Sequence, residues 1–251
     1  MKKRVLLNVL IVVFAAVFVF SGYNVVKILY QNAKADKLYD TLQSEYVTPT
    51  EPVKQTEQVK EPSITVDFDA LCKKNSDVVG WLYLPNTPIN YPVVQAEDND
   101  KYLHLGLDGK YLNAGTLFVD CRNGALGEDA NYIIYGHHMK NGTMLSAIIQ
   151  YKNKAFYEEN PVIYYFTPQQ KYKIELIAGC LIAGNDELYQ SSINEKDPVT
   201  TANEYQKHST FKSDVTVTAE DTLVTLSTCS YEYEEARYVV IGKLTKLIEE
   251  E

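Results

Sequence analysis

The stretch DTLVTLSTCSYEYEEARYVVIGKL, residues 221–244, contains two apolar segments joined by a short polar loop. The first segment ends at Cys229, and the second begins beside Arg237. Runs of Val, Leu and Ile interrupted by polar turn residues are typical of neighbouring β-strands. The second segment alternates poorly between apolar and polar residues, which predicts a strand that is buried on both faces.

Most of the remaining chain shows the same pattern, with short segments rich in Val, Ile, Tyr and Thr between turn residues. The predicted strands are Val78–Leu84, Ile89–Val94, Gly115–Val119, Tyr132–Tyr135, Val162–Phe166, Tyr172–Ile182, Val215–Thr218, Thr222–Ser227 and Tyr238–Leu244. Helical patterns are fewer: Asp67–Asn75, Met144–Tyr151 with a continuation near Lys154, and Ala202–Lys207. This arrangement predicts a mainly β fold, an antiparallel sandwich or barrel, rather than alternating strands and helices.

Composition excludes several classes of protein. The chain has 251 residues, with 24 Lys+Arg against 33 Asp+Glu and a formal net charge of −9. Its 45% apolar and 12% aromatic residues suffice for a folded core, so wholesale disorder is excluded. The length fits one domain with extensions, or two small domains. The acidic balance argues against a nucleic-acid-binding protein, because no basic cluster follows the first four residues.

The amino end has the features of a membrane anchor. A basic triplet at residues 2–4 precedes the apolar run Val5–Phe20, and apolar side chains recur as far as Leu29. A helix of about 20 apolar residues can span the hydrocarbon layer. A cleaved signal peptide is the alternative, but its shorter apolar region and small-residue cleavage site fit this sequence poorly. We therefore predict a cytoplasmic tip at 1–4, a transmembrane anchor at 5–29, and the rest of the chain outside the cell.

A helical segment and a linker follow the anchor. Residues 24–46 have apolar side chains at helical spacing, which predicts a plain extension of the membrane helix rather than a partner-binding coil. Residues 48–63, TPTEPVKQTEQVKEPS, contain three prolines and no aromatic residue, so we expect an extended linker without regular pairing. The predicted division is a helical extension and linker at 30–63 and one globular domain at 64–251.

Four cysteines, at positions 72, 121, 180 and 229, make two disulfides possible in a domain that faces an oxidising exterior. Their spacing fits no zinc-binding pattern. Cys180 lies in an apolar strand, and we expect it to be inert, as we do Cys72 and Cys121. Cys229 differs, because a thiol at the end of a rigid strand is held in place yet open to a substrate.

A nucleophilic thiol needs a basic or cationic neighbour, because an ordinary pKa of about 8.5 leaves little thiolate near neutral pH. His137 follows a predicted strand and the permissive Gly136, so we expect it at a strand end, as Cys229 is. His104 and His208 lie in ordinary amphipathic surroundings and are interpreted as surface residues. Spacing alone does not establish that any histidine meets the thiol.

Arg237 follows Cys229 by eight residues, so two strands joined by this loop would bring the guanidinium back beside the thiol. Its fixed donors could hold an oxyanion or a substrate carbonyl. A structural salt bridge to Glu232, Glu234 or Glu235 is the alternative, and the spacing favours neither.

Together these residues resemble a known family. TLSTC at 225–229, an arginine eight residues later and YGHH at 135–138 are similar to motifs of the sortases, particularly the class B sortases of Gram-positive bacteria. The segments DVVGWLYLPNTPINYPVVQ (77–95), DNDKYLHLGLDGKYLNAGTLFVDCRN (98–123) and NYIIYGHHMKNGTM (131–144) also resemble class B sequences. The resemblance therefore covers nearly all of the domain from about Asp67 onward.

The resemblance implies a closed sortase β-barrel of about eight strands, with a helix between the late strands. It implies that Cys229 is the nucleophile, that His137 is the general acid/base, and that Arg237 stabilises the oxyanion or holds the substrate. His138 is then only a neighbour, because the family motif has the catalytic histidine directly after the glycine. Four further residues are implied to line the substrate groove: Asn99, Leu103, Ser227 and Thr228.

The implied activity is that of a membrane-anchored cysteine transpeptidase. The thiolate cleaves a C-terminal sorting signal at a threonine, and the thioacyl enzyme passes the protein to an amine of a lipid-linked peptidoglycan precursor. In the family, the catalytically active form is commonly taken to be the small fraction of enzyme in which the cysteine is a thiolate and the histidine is an imidazolium. Class B members often prefer NPxTx signals to LPxTG, and the sequence leaves this choice open. No cofactor, metal or nucleic acid is expected; some sortases of another class bind calcium, but no acidic cluster compels it here.

Two other classes of protein remain possible from the sequence. A cysteine peptidase or amidase would use the same Cys–His pair but pass the acyl group to water, although papain-like enzymes have the opposite chain order of the two residues. A non-catalytic adhesion or scaffold domain would keep the barrel without thiol chemistry. Dependence of product release on an amine acceptor separates the first from a transpeptidase, and reactivity of Cys229 disfavours the second.

Overall fold

A single long helix, α1 (Lys2–Tyr46), opens the chain. In the computed structural model, which describes residues 2–49, 64–184, 186, 193 and 197–247, its apolar side chains from Val5 to Tyr30 are exposed. Among these described residues, α1 is the one helix that is long and apolar enough to cross a membrane. The predicted helix over 24–46 is confirmed as a continuation of the apolar segment.

The last three turns of α1 are more than an extension, because they pack against the globular part of the chain. Ala35, Tyr39 and Leu42 are buried in its main hydrophobic core. The ring of Tyr39 meets that of Tyr91 edge to face, with 5.0 Å between centroids, and its hydroxyl donates a hydrogen bond to the Gly115 carbonyl. Aromatic and aliphatic burial of this kind stabilises a fold by about 1.5–3 kcal/mol per side chain.

The start of the predicted linker forms a strand. Strand β1 (Val47–Pro49) pairs antiparallel with β2 (Ile64–Val66), and Pro49 lies opposite Ile64. The expectation of no regular pairing was therefore wrong for Thr48 and Pro49. A proline is tolerated at the end of an edge strand, because no hydrogen bond of the strand pair requires an N–H at that position. The remaining linker residues, 50–63, lie outside the described part of the chain.

Eight strands close into a barrel, which confirms the mainly β fold implied by the sequence. They are β3 (Val78–Tyr83), β4 (Asn90–Gln95), β5 (Leu117–Val119), β6 (Asn131–Tyr135), β7 (Val162–Phe166), β8 (Lys171–Ala183), β9 (Leu223–Cys229) and β10 (Ala236–Lys246). Their order around the barrel is β10-β8-β7-β3-β4-β5-β6-β9, and β9 pairs with β10 to close it.

The strand pairing corrects two expectations. The sheet is not wholly antiparallel, because β4 pairs parallel with β5, and β6 pairs parallel with β9. The predicted strand Val215–Thr218 was wrong. Val215 and Val217 are half-buried against an apolar cluster while their neighbours are exposed, so the alternation reflects packing of one face and not membership of a ladder.

Strand β10 is buried on both faces, as its poor alternation predicted. Tyr238 and Val240 belong to the main core, which fills the barrel. Val239 and Ile241 belong to a second cluster together with Tyr205, which lies on a helix outside the barrel. Strands that are covered on both faces have continuous apolar sequences instead of alternating ones.

The predicted helical segments are confirmed, one of them as a tighter helix. Within the part of the chain that the structure describes, α1 is followed by α2 (Phe68–Lys74), α3 (Lys154–Glu159) and α4 (Pro198–Lys207), with 3₁₀ helices at Lys101–Leu103 and Leu145–Lys152. The carboxylate of Asp197 accepts a hydrogen bond of 3.0 Å from the Thr200 N–H, and Pro198 fills the first turn of α4. Helix α4 lies between β8 and β9 in the chain, as the resemblance implied.

Gly115 gives a test of the loop between the 3₁₀ helix at 101–103 and β5. Its φ is +57°, and an added Cβ would lie 2.4 Å from the carbonyl oxygen of Tyr102 and 2.5 Å from that of Leu103. We expect Gly115→Ala to lower the free energy of unfolding by about 3 kcal/mol or more. The matched control is Gly109→Ala, with a φ of +72° but no atom within 4 Å, which should cost only about 1 kcal/mol. Denaturant titration compares the two, and equal losses would contradict the steric explanation.

Candidate active site

Two parallel strands bring the ends of β6 and β9 to the same edge of the barrel. Their register pairs Tyr135 with Ser227. His137 and Cys229 each lie two residues beyond this pair, and parallel strands advance together. The two candidate residues, which are 92 positions apart in the chain, therefore leave the barrel side by side.

Hydrogen bonds hold these two strand ends together. The Gly136 N–H donates to the Ser227 carbonyl at 3.1 Å, and the Thr228 hydroxyl donates to the Gly136 carbonyl at 2.7 Å. One residue farther along, Nδ1 of His138 lies 3.1 Å from the Cys229 carbonyl oxygen. A side chain at Gly136 would force its neighbours to move, because its Cβ would lie 2.3 Å from Cδ2 of Leu117 and 2.7 Å from Cγ of Leu145. This close approach explains the glycine before the histidine.

Strand β10 brings Arg237 to the thiol from the other side. Arg237 is the direct cross-strand partner of Cys229, as the hairpin arrangement predicted. Its guanidinium also lies 3.4 Å from a carboxylate oxygen of Glu235, so the alternative of a salt bridge is present too. That carboxylate is 74% exposed, and exposed ion pairs contribute about 0–1 kcal/mol. The ion pair therefore does not exclude another use of the guanidinium.

His137 is fixed by a backbone carbonyl. Its Nε2 lies 2.8 Å from the carbonyl oxygen of Leu103. Because a carbonyl can only accept, Nε2 is the protonated nitrogen, and Nδ1 is left to exchange a proton. Burial lowers the pKa of His137 from its ordinary 6.5, the bond to Leu103 opposes this effect, and the nearby His104 lowers the pKa further. The neutral ring is thus favoured in the structure.

All seven residues that the sequence analysis nominated line one pocket at this edge, with a volume of about 270 Å³. The structure brings together His137, Cys229, Arg237, Asn99, Leu103, Ser227 and Thr228. Two of the nominated groove residues also have internal roles: Oδ1 of Asn99 accepts a hydrogen bond of 2.8 Å from the Cys121 N–H, and the Thr228 hydroxyl joins the two strand ends.

Four further residues line the pocket that were not predicted from the sequence: Phe118, Tyr135, Gly136 and Gly184. Of these, Tyr135 has the most distinct setting, because its hydroxyl donates a 2.7 Å hydrogen bond to the fully buried Asp120. Burial alone would raise the pKa of Asp120, but hydrogen bonds from Arg122 and Tyr135 hold that pKa below its ordinary value. An ionised carboxylate therefore holds Tyr135. Its position directly before Gly136 was the available sequence signal.

All four cysteines are free thiols in the structure, so neither of the two possible disulfides is formed. Cys180 is buried, and burial raises its pKa to about 12. Burial also raises the pKa of the half-buried Cys72. Cys121 is half-buried as well. Of the four, Cys229 is the one that lines the pocket with a histidine and an arginine.

Comparisons with known proteins agree with this arrangement. A family model described as a sortase domain matches residues 82–245. Sortase B of Listeria monocytogenes is 34% identical over 242 residues, 94% of this chain and 95% of that protein. Sortase B of Staphylococcus aureus is 29% identical over 250 residues, 98% of this chain and 100% of that protein. The solved S. aureus sortase B–substrate complex has 29% identity and a TM-score of 0.71, and the match covers 87% of this chain and 100% of that one.

Proposed function

The chain belongs to the sortase family as a class B sortase, a cysteine transpeptidase for the anchoring of surface proteins, and from this premise we propose its reaction and its catalytic residues. We propose that it cleaves a C-terminal sorting signal at a threonine through a thioacyl intermediate on Cys229. The observation that carries this assignment is the single pocket lined by Cys229, His137 and Arg237.

In the first half of the reaction the Cys229 thiolate attacks the threonine carbonyl. The S–C bond forms, and the imidazolium of His137 gives the proton on Nδ1 to the departing amide nitrogen as the C–N bond breaks. Its Nε2–H stays on the Leu103 carbonyl, which keeps the ring in one orientation. Arg237 donates to the oxygen that gains charge during the attack.

In the second half an amine acceptor replaces the thiolate. The amine attacks the thioester carbonyl, Nδ1 of His137 takes a proton from the amine nitrogen, and Cys229 leaves as a thiolate. A new amide bond then joins the surface protein to the acceptor. We propose an amine of a lipid-linked peptidoglycan precursor as this acceptor. If water replaces the amine, the same intermediate gives hydrolysis, which is the activity of the alternative peptidase.

The substrate would lie in this pocket, where the other lining residues can hold it. Asn99 uses its Oδ1 internally, so its amide nitrogen is the group that would donate to a substrate carbonyl. Leu103 and Phe118 supply apolar surface to the same pocket. The solved relative with a bound substrate is itself a sortase B. We propose an NPxTx-like signal over LPxTG, and a peptide panel that contains both types tests this choice.

The location follows from α1. Its exposed apolar side chains need a lipid environment, and the basic triplet at residues 2–4 favours a cytoplasmic amino end. We therefore propose a single membrane span at 5–29 and a catalytic domain at 64–251 outside the cell. Protease added to intact cells should digest the domain, and protection of the domain would contradict this orientation.

Arg237→Lys tests the proposed oxyanion role. Lysine keeps the positive charge but loses the planar set of donors, so we expect kcat/KM to fall by about 10²-fold. The matched control is Glu235→Gln, which removes the ion pair and leaves the guanidinium in place. If Arg237 were only a salt-bridge partner, Arg237→Lys would keep most of its activity, because lysine can still pair with Glu235, and Glu235→Gln would be the variant that loses activity. A peptide-transfer assay with purified full-length protein in detergent distinguishes these results.

A further inference from the structure

His104 lies against the proposed general acid. His104 was predicted from the sequence to be an ordinary surface residue, and its side chain is exposed in the structure. Its ring, however, stacks on that of His137, with centroids 5.6 Å apart and an interplanar angle of 17°. The same ring lies 6.0 Å from that of Tyr111. Three aromatic rings thus run from the pocket to the surface.

His104 belongs to a loop that is held at both ends. We call residues 101–116 the capping loop, because its Leu103 carbonyl and its His104 ring both contact His137. The Leu112 N–H donates to the His104 carbonyl at 2.9 Å, and the Thr116 N–H donates to the Tyr102 carbonyl at 3.0 Å. These hydrogen bonds hold the backbone of His104 in place. The ring of His104 therefore contacts His137 from a fixed main-chain position.

Helix α1 secures the far side of this loop. Nζ of Lys34 donates to the Tyr111 carbonyl, and the Tyr39 hydroxyl donates to the Gly115 carbonyl. An added Cβ at Gly106 would lie 2.9 Å from Cδ2 of Leu38, which shows how closely the helix approaches. The capping loop is therefore packed between α1 and the pocket.

We propose that His104 is a positioning residue for His137, holding the imidazole by stacking when it is neutral and opposing the imidazolium when it carries its own proton. This inference rests on the proposed function, in which His137 must carry a second proton before the leaving group departs. Two unit charges of like sign 5.6 Å apart repel each other even in water. Protonation of His104 would therefore lower the fraction of His137 that is an imidazolium and can act as the general acid.

Other charged groups around the capping loop do not account for this effect. The charged and titratable residues in and around the capping loop include Asp77, Asp98, Asp100, Lys101, Tyr102, Asp108, Lys110 and Tyr111, Lys34 on α1, His138 beside His137, and Cys229 and Arg237 in the same pocket as His137. Lys101 is paired with Asp77 at 2.6 Å. Among the groups named, only imidazoles ordinarily change charge between pH 5 and 8. The charge of His104 lowers the pKa of His137, in the same direction as burial.

Two substitutions fix the charge at position 104 at zero or at plus one. His104→Phe keeps an aromatic ring and removes the titratable group, whereas His104→Lys puts a permanent cation at the same place. We expect the pKa of His137 to be highest in His104→Phe, intermediate in the wild type and lowest in His104→Lys. His208→Phe, at an exposed histidine on the turn after α4, is the control that should leave this pKa unchanged.

The experiment is an NMR titration of full-length protein in detergent with isotope-labelled imidazole carbons. The chain has four histidines, so single substitutions assign every signal. Near-UV circular dichroism checks that each variant is folded. In a parallel assay, kcat/KM at pH 7 in His104→Lys should be lower than in His104→Phe by about threefold or more, the factor that Coulomb's law gives for unit charges 5.6 Å apart in water.

The possible outcomes are distinct. The expected order of His137 pKa values supports the inference. An identical pKa in the wild type, His104→Phe and His104→Lys overturns it. An inactive wild type with the expected order would count against the proposed function and leave the positioning role of His104 standing, because the titration needs no substrate.

Discussion

Full-length protein with Cys229→Ala is expected to lose transpeptidation by about 10⁴-fold or more, to the uncatalysed background. The reason is that the proposed acyl intermediate forms on this thiol, which lines the pocket with His137 and Arg237, and an alanine methyl group cannot form it. The assay follows transfer of a sorting peptide to an amine acceptor by purified enzyme in detergent.

The matched control for this loss is Cys121→Ala. Cys121 is also half-buried, and its contact with Asn99 runs through its backbone N–H, which alanine retains. Activity in the control should stay within about threefold of the wild type, because Cys121→Ala removes one half-buried sulfur atom outside the proposed catalytic set. A methanethiosulfonate reagent should inactivate the wild type and Cys121→Ala alike. Equal loss of activity in both alanine variants would remove the basis for choosing Cys229.

The second large effect concerns the choice between two adjacent histidines. We expect His137→Gln to lower kcat/KM by about 10²–10⁴-fold, the usual contribution of general acid–base catalysis. Glutamine can still donate to the Leu103 carbonyl, so the loss would report the missing proton transfer and not the missing hydrogen bond.

His138→Gln is the comparison, and we expect it to cost less than about tenfold. His138 uses Nδ1 against the Cys229 carbonyl, and its ring packs 5.1 Å from that of Tyr231. This environment supports the loop after β9 but gives no reason for proton transfer to a substrate. A larger loss in His138→Gln than in His137→Gln would reverse the assignment.

Much of the fold could be predicted because strand patterns are local. Segments such as Val162–Phe166 carry their own β-branched and aromatic residues, and the structure has a strand with the same bounds. The pattern failed at Val215–Thr218, where alternate residues are half-buried against an apolar cluster but pair with no strand. Periodicity reports which side of a segment is covered, and it does not report what covers it.

Pairing across long sequence distances could not be predicted from the same signals. The parallel register of β6 and β9 sets His137 beside Cys229, and nothing in either strand specifies its partner. The family resemblance supplied that relationship instead. In contrast, the position of Arg237 followed from a short hairpin, where chain length alone restricts the geometry.

The role of α1 in the core was also hidden. Tyr39 and Leu42 fit an amphipathic helix, but a sequence cannot tell whether such a face meets a membrane, a partner or its own domain. The same limit applies to His104, whose surroundings in the sequence are those of any exposed histidine. Only the folded capping loop brings its ring to His137.

The central claim is that Cys229 carries the acyl group between the sorting signal and an amine. The most direct test incubates full-length enzyme with NPxTx-like and LPxTG-like peptides, with and without a glycine-type or diamino-acid acceptor, and locates adducts by mass spectrometry. We predict a thioacyl adduct on Cys229 that the acceptor converts to an amide. Peptide cleavage that persists in Cys229→Ala, or an adduct on another residue, would contradict the claim.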